Sequence, residues 1–381
     1  MTMPGLRQGG TTAEREAPAT HFPAVQAIRG LAAVMVVLHH MFAGGHLSAL
    51  GGQLPAFVRV AIGYGWAGVP VFFALSGFVI AHSLEGKRID LRFVGTFVLR
   101  RSIRLDPPYW ASIALLLALG VVAALATGGE PDPVSWWQLV THLTYTQLFA
   151  GVPHLGGVYW TLTYEVQFYL VLVLAMLGIQ ALAQRLGAGA ATGIGYGVML
   201  GVALVWGVEA FAPRLHPALF TTFWASFFVG VLSCQARTRG WARAALAVLV
   251  VVLLIGGSAH ARFSAVTALL LLAVTTGAGG TWLALSALQR LGAVSYSLYL
   301  THNPVSGAAF FLLRRAMPGG AAVEAVHLMI ASLACLAVAW LFWRLIEVPA
   351  QAVARAVQSR PSAAATRARD RPRAPEPIAD G

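Results

Sequence analysis

Charged residues are what this chain has least of. Asp, Glu, Lys and Arg make up 10% of its 381 residues, against about 25% in a soluble globular domain. With 58% hydrophobic residues and a mean hydropathy of +0.72, that scarcity excludes a soluble enzyme. Cysteine is nearly missing too. Cys234 and Cys335 both lie in apolar runs, which excludes a disulfide framework and leaves them as small packing residues. HExxH, P-loop and GxSxG patterns are absent and the histidines lack metal-ligand spacing, so neither a metal nor a permanently bound cofactor is expected. The net charge of +12 could suggest nucleic acid, but the basic residues fall in alternate loops, as membrane orientation requires. The bilayer is the expected partner and nucleic acid is not.

What is present is a series of apolar runs, each near the roughly 20 residues that cross a bilayer. Ten spans are predicted, at 24–43, 66–83, 107–127, 158–181, 191–209, 217–236, 242–258, 264–283, 294–313 and 323–345. The expected fold is an all-α, polytopic membrane helical bundle. With the N-terminus inside, 21 of the 26 basic residues fall on the inner side, which places both termini in the cytoplasm. The expected location is the cytoplasmic membrane, as a multi-pass protein. Residues 24–349 read as one membrane domain, flanked by a disordered segment 1–23 and a disordered Arg/Ala/Pro-rich tail 350–381. The first run could be a signal peptide, but its internal arginine and the spans behind it favour a retained helix. Residues 134–150, "VSWWQLVTHLTYTQLFA", are too polar and short for a span and read as an interfacial or re-entrant helix on the outer side.

Several of these runs carry residues that hydrocarbon does not favour. In "AIRGLAAVMVVLHH", Arg29 and His40 share one helical face about 16 Å apart along the axis, with Ala32, Ala33 and Val36 between them. His39 points about 100° away. A snorkelling arginine and an interfacial histidine explain the same segment. In "FVLRRSIRLDPPYW", one helical turn would gather Arg100, Arg101 and Arg104 into a phosphate-binding cluster, with Pro107 and Pro108 starting the next helix. Ordinary inner-loop charge is the alternative. In "GVYWTLTYEVQFYL", Glu165 is an intramembrane carboxylate, either functional or in a structural salt bridge. Ser295, Tyr299 and His302 make a polar stripe, read either as a site or as a helix–helix seam. Glu347 reads as a partner of Arg344.

Taken in order, these blocks resemble the acyltransferase-3 family of integral membrane O-acyltransferases, especially members acting on exopolysaccharides and other glycosides. The resemblance runs from about Val25 to Pro349 through "QAIRGLAAVMVVLHH", "GVPVFFALSGFVI", "RRSIRLDPPYW", "WTLTYEVQFYL" and "SYSLYLTH" with "IEVP". The family's Arg and His fall on Arg29 and His40, its RxxR on Arg101 and Arg104, its WxLxxE on Trp160, Leu162 and Glu165, and its YLxH on Tyr299, Leu300 and His302. This chain departs at Ala27-Ile28 and Pro70, where many members have Asp-Gly and Asp.

The resemblance implies transfer of an acyl group, usually acetyl, from cytoplasmic acyl-CoA to a hydroxyl of a glycan or glycoside outside. In that reading His40 is the general base or forms an acyl-histidine, and Arg29 positions the donor. Arg100, Arg101 and Arg104 bind CoA phosphates, Glu165 orients His40 or the sugar, and Trp160, Tyr299 and His302 bind substrate. The rivals are a transporter or flippase using the same charges, and a non-catalytic partner of a polysaccharide-synthesis complex.

Overall fold

A computed structural model describes residues 22–212, 215–277 and 281–357. Among them there is no strand, and helices occupy all ten intervals read from the sequence. In order these are α1 (Pro23–Ala43), the short α2 (Ser48–Gln53) and α3 (Ala56–Gly63), α4 (Gly68–Leu84), α5 (Leu91–Thr127), the short α6 (Trp136–Leu143) and α7 (Gln147–Ala150), α8 (Trp160–Leu186), α9 (Ala188–Gly207), α10 (Trp224–Ala236), α11 (Gly240–Gly256), α12 (Ala259–Thr275), α13 (Ser286–Ala316), α14 (Ala321–Phe342) and α15 (Val348–Ala356). Six of the resulting rods are long and apolar enough to cross a membrane: 23–43, 56–84, 91–127, 160–186, 188–207 and 321–356. The helices at 220–236, 240–256 and 259–275 are shorter and apolar. Large side chains such as Val198, Val251, Ile255 and Leu333 stand exposed along them, which suits hydrocarbon and not water. The protein is a polytopic helical membrane protein.

Local signals explain the helix ends. Pro23 occupies the first turn of α1, where its missing N–H costs nothing. Asp90 caps α5 by accepting from the Phe93 amide at 2.7 Å, and Gly128 closes it at a φ of 70°. Pro107 and Pro108 do not start this helix, as the sequence led us to expect, but lie inside it. A membrane helix tolerates proline where neighbours satisfy the freed carbonyls. Here the Tyr296 hydroxyl donates to the Leu105 carbonyl at 3.0 Å, beside the Ile103 and Arg104 carbonyls that the two prolines free. The tail boundary also moves: residues 348–356 form α15, and the Ala354 carbonyl accepts from Arg100 Nε at 3.1 Å. The rest of the tail, and all of the N-terminal segment expected to be disordered except Phe22 and Pro23, lie outside the described residues.

The 134–150 segment is two short helices, with Trp136 and Trp137 exposed. Buried His142 fastens it. Its Nδ1 donates to the Gln138 carbonyl at 2.7 Å and its Nε2 accepts from the Leu155 amide at 3.1 Å. Burial lowers its pKa below the usual histidine value, which favours the neutral tautomer these bonds require.

Glycines set the closest helix crossings. A Cβ at Gly230 of α10 would strike the Ala74 carbonyl of α4, and one at Gly77 would strike the Phe227 carbonyl. Close backbone approach through small residues is how membrane helices associate without a hydrophobic drive. We expect Gly230→Ala to force the two backbones apart, at a cost of at least about 1–3 kcal/mol. Thermal melting of the purified protein should show it. Gly197→Ala, where the added carbon meets nothing within 4 Å, should leave the melting temperature nearly unchanged.

A second crossing positions the site. At Gly30 of α1 a Cβ would lie 2.8 Å from the Gly292 amide of α13, so the two helices touch there. His40 lies ten residues beyond Gly30 and His302 ten beyond Gly292. Equal offsets on two parallel helices bring the two imidazoles to the same height, about 15 Å along the axis.

Candidate active site

Two features share the centre of the bundle: a charged cavity and, beyond it, a pair of imidazoles. The cavity, about 110 Å³, collects residues from six segments. Arg29 comes from α1, Ser76 from α4, Arg101 and Arg104 from α5, Glu165 from α8, and Ser295, Tyr296 and Tyr299 from α13. Glu347 comes from a π-helical turn, Trp343–Glu347, joining α14 to α15. Such turns displace the residue that carries them and recur at functional sites.

Within the cavity both carboxylates are hydrogen-bonded, whereas none of the three guanidiniums makes a hydrogen bond to a described residue. Glu165 Oε1 accepts from Ser76 Oγ at 2.7 Å and faces Arg101 Nη2 at 3.6 Å. Glu347, only 3% exposed, accepts from Ser297 Oγ at 2.7 Å and Gln351 Nε2 at 3.0 Å. Arg101 lies over the Tyr169 ring at 5.1 Å and near the Phe97 ring at 5.9 Å, yet its buried Nε–H has no acceptor. No hydrogen bond ties Arg29 or Arg104 to any described residue. A buried donor without an acceptor is costly, so this cavity is built to receive one.

Tyr299 closes the far end. Its hydroxyl lies 2.9 Å from Thr161 Oγ1 and its ring 5.6 Å from that of Phe72. On its other side the His302 ring centroid is 6.0 Å away. His302 is fully buried, and its Nδ1 lies 3.1 and 2.8 Å from the Leu298 and Tyr299 carbonyls. Two carbonyl acceptors place the proton on Nδ1 and leave Nε2 with a lone pair. That nitrogen is 3.2 Å from His40 Nδ1, which also lies 2.9 Å from the Val36 carbonyl. His40 Nδ1 must therefore carry a hydrogen shared between the two acceptors. Its Nε2 is left with a free lone pair and no hydrogen-bond partner among the described residues.

The sequence-predicted residues divide accordingly. Arg29, Arg101, Arg104, Glu165 and Tyr299 meet in the cavity, and His40 meets His302 beyond it. Three assignments change. Arg100 does not join the cluster: it projects from α5 toward α15, where Ala354 takes its Nε–H. Glu165 does not orient His40, because Ser76 and Arg101 occupy it. Trp160 does not line the cavity but packs edge-on against Tyr164 and tilted against Phe223. His39 turns away as its register implied, with Nδ1 3.1 Å from the Ile62 carbonyl. Glu347 is the residue that sequence reasoning passed over. The signal was there, an acidic side chain at the end of an apolar span, but a neighbouring arginine offered a simpler partner. Away from the cavity, His82, Glu85 and Cys234 bring possible ligand atoms within 4.8 Å, but the Arg237 guanidinium sits 3.9 Å from the Cys234 sulfur, where it opposes a cation.

Residues 22–344 match the family model described as an acyltransferase domain, of the acyltransferase-3 type. The chain is also 31% identical over 182 residues to nodulation protein 10 of Rhizobium leguminosarum bv. viciae, covering 44% of this chain and 47% of that relative. It thus spans about half the length of the curated relative it matches. No solved structure matches. Because one family model takes in nearly the whole membrane region, with a charged cavity and an imidazole pair at its centre, the chain belongs to the acyltransferase-3 family and is a multi-pass membrane protein.

Proposed function

We propose that this protein moves an acyl group, acetyl in the simplest case, from cytoplasmic acyl-CoA to a hydroxyl of a glycan or glycoside on the far side of the cytoplasmic membrane. The observation that carries the reading is the hydrogen-bond order across the imidazole pair, which leaves a lone pair on His40 Nε2. A neutral imidazole so held is a general base. His40 Nε2 takes the acceptor's hydroxyl proton as the oxygen adds to the thioester carbonyl carbon. Collapse of the adduct breaks the carbon–sulfur bond, and the departing CoA thiolate takes the proton back from His40. His302 acts as the positioning residue that fixes the tautomer.

The charged cavity serves the donor. Arg29, Arg104 and the Arg101 Nε–H offer donors to the carbonyl oxygens of an extended arm and to negative charge developing at the thioester. At about 110 Å³ the space suits a narrow chain and not a nucleotide, since pockets for larger ligands run to roughly 300–1,000 Å³. In this reading Arg101 and Arg104 therefore meet the arm, and not the CoA phosphates that the resemblance implied. The arm's acyl end then points at Tyr299, the partition between the cavity and the imidazoles. Membership in an acyltransferase family favours this reading over transport by the same charges.

Sidedness follows from charge bias and is directly testable. In sealed vesicles of known orientation, an impermeant acyl-CoA should be consumed only from the face carrying both termini. An impermeant acceptor sugar should be acylated only on the opposite face. Product formed with both substrates confined to one face would overturn transfer across the membrane.

A further inference from the structure

The charged cavity leaves a question about the donor: where its nucleotide sits. A second cavity lies where α4, α8, α9 and α10 end or begin, beside the 85–89 loop. It encloses about 350 Å³, within the range that holds a ligand of nucleotide size. Its wall includes Glu85, Lys87, Gln180, Tyr196, Gln235 and Arg239.

Three features of this wall point to one chemistry. Gln235 is 5% exposed, and its side-chain carbonyl is buried with no donor to satisfy it. A ligand N–H removes that cost. Lys87 and Arg239 are exposed cations without a salt-bridge partner among the described residues, and they suit phosphate. Tyr196, edge-on to Trp241 at a centroid distance of 4.9 Å, supplies an aromatic wall for a base. Tyr196 and Arg239 also border an adjoining groove of about 590 Å³, so the site opens into further space. Glu85 is the one opposing charge, and its carboxylate faces His82 Nδ1 at 3.3 Å.

The two cavities line up. Leu162 and Glu165 of α8 border the charged cavity, and Leu172, Met176 and Gln180 of the same helix border the second. The step from Glu165 to Leu172 is about 10 Å along the helix. On α4, Ser76 and Val79 border the first and Ala81 and Leu84 the second.

We propose that this second cavity binds the adenosine phosphate end of the acyl-CoA donor, with the adenine amino group on the Gln235 carbonyl and phosphates on Arg239 and Lys87. The pantetheine arm then follows the α4–α8 face into the charged cavity. The proposal rests on the acyl-CoA reading above.

Calorimetry on the full chain in nanodiscs tests it with three probes: CoA, adenosine 3′,5′-bisphosphate and pantetheine. Gln235→Leu and Arg239→Ala should each weaken CoA and the bisphosphate by about 10-fold or more, the range of a charge-assisted or buried hydrogen bond. Pantetheine binding should not change. Unchanged CoA affinity in variants with wild-type melting would overturn this site while leaving acyl transfer from CoA intact. A wild-type protein that neither binds CoA nor transfers from it would sink the donor reading and this site together. Should Gln235→Leu fail to fold, an 8-azido derivative of the bisphosphate decides on the unaltered protein. Cross-links in α9 and α10 support the proposal, and cross-links in α5 overturn it.

Discussion

Replacing His40 with alanine is expected to slow acyl transfer by about 100- to 10,000-fold, the usual worth of a positioned general base. CoA affinity should stay as in the wild type, because His40 does not line the charged cavity. The expectation comes from proton placement. The Leu298 and Tyr299 carbonyls claim the His302 Nδ1 hydrogen, His302 Nε2 then claims the hydrogen on His40 Nδ1, and a lone pair remains on His40 Nε2. His302→Phe removes the acceptor and should cost less, since the Val36 carbonyl at 2.9 Å still holds the same tautomer. His39→Ala should be mild, because that ring is bonded to the Ile62 carbonyl on the other side of α1. A transfer assay paired with CoA calorimetry separates chemistry from binding. An essential His39 beside a dispensable His40 would refute the assignment.

Helical arithmetic reads well within one helix and poorly between two. It separated His39 from His40 because a residue's direction on a helix is fixed by its number. It located the apolar helices because bilayer thickness sets their length. It could not supply His40's partner, because the partner depends on the Gly30–Gly292 crossing, which lies in another part of the chain. Arg100 failed for a related reason. Sequence spacing gathers three guanidiniums on one turn, but α15 packs against one edge of that turn and removes one of them. Glu347 was assigned to Arg344, the nearest cation in sequence, whereas across the bundle it accepts from Ser297, a partner that sequence proximity does not reveal. The prolines of α5 misled for a chemical reason: in water Pro107 and Pro108 would mark a helix start, but inside a bundle Tyr296 supplies a donor beside the break.

The second large effect is expected at the Arg101–Glu165 pair, where stability and function can be separated. The two side chains are 15% and 27% exposed, with Arg101 Nη2 3.6 Å from Glu165 Oε1. Arg101→Ala leaves the carboxylate with only Ser76 Oγ, and removing one partner of this partly buried pair should cost about 1–3 kcal/mol, less than for a fully buried one. Melting temperature and transfer should therefore fall together, which alone would not show what Arg101 does. Replacing both partners, as Arg101→Met with Glu165→Leu, removes the unpaired charge. Swaps of that kind are often neutral or stabilising, so melting should return toward the wild type. Transfer should not return, because Arg101, which lines the cavity and carries a buried Nε–H without an acceptor, is gone. Arg101→Lys makes the complementary test. Its ammonium can still attract Glu165, but it lacks the planar fork that presents a separate Nε–H, so it should fold and transfer poorly. A double variant that regained both folding and activity would show that the pair only clamps α5 to α8. The donor would then have to be bound without Arg101.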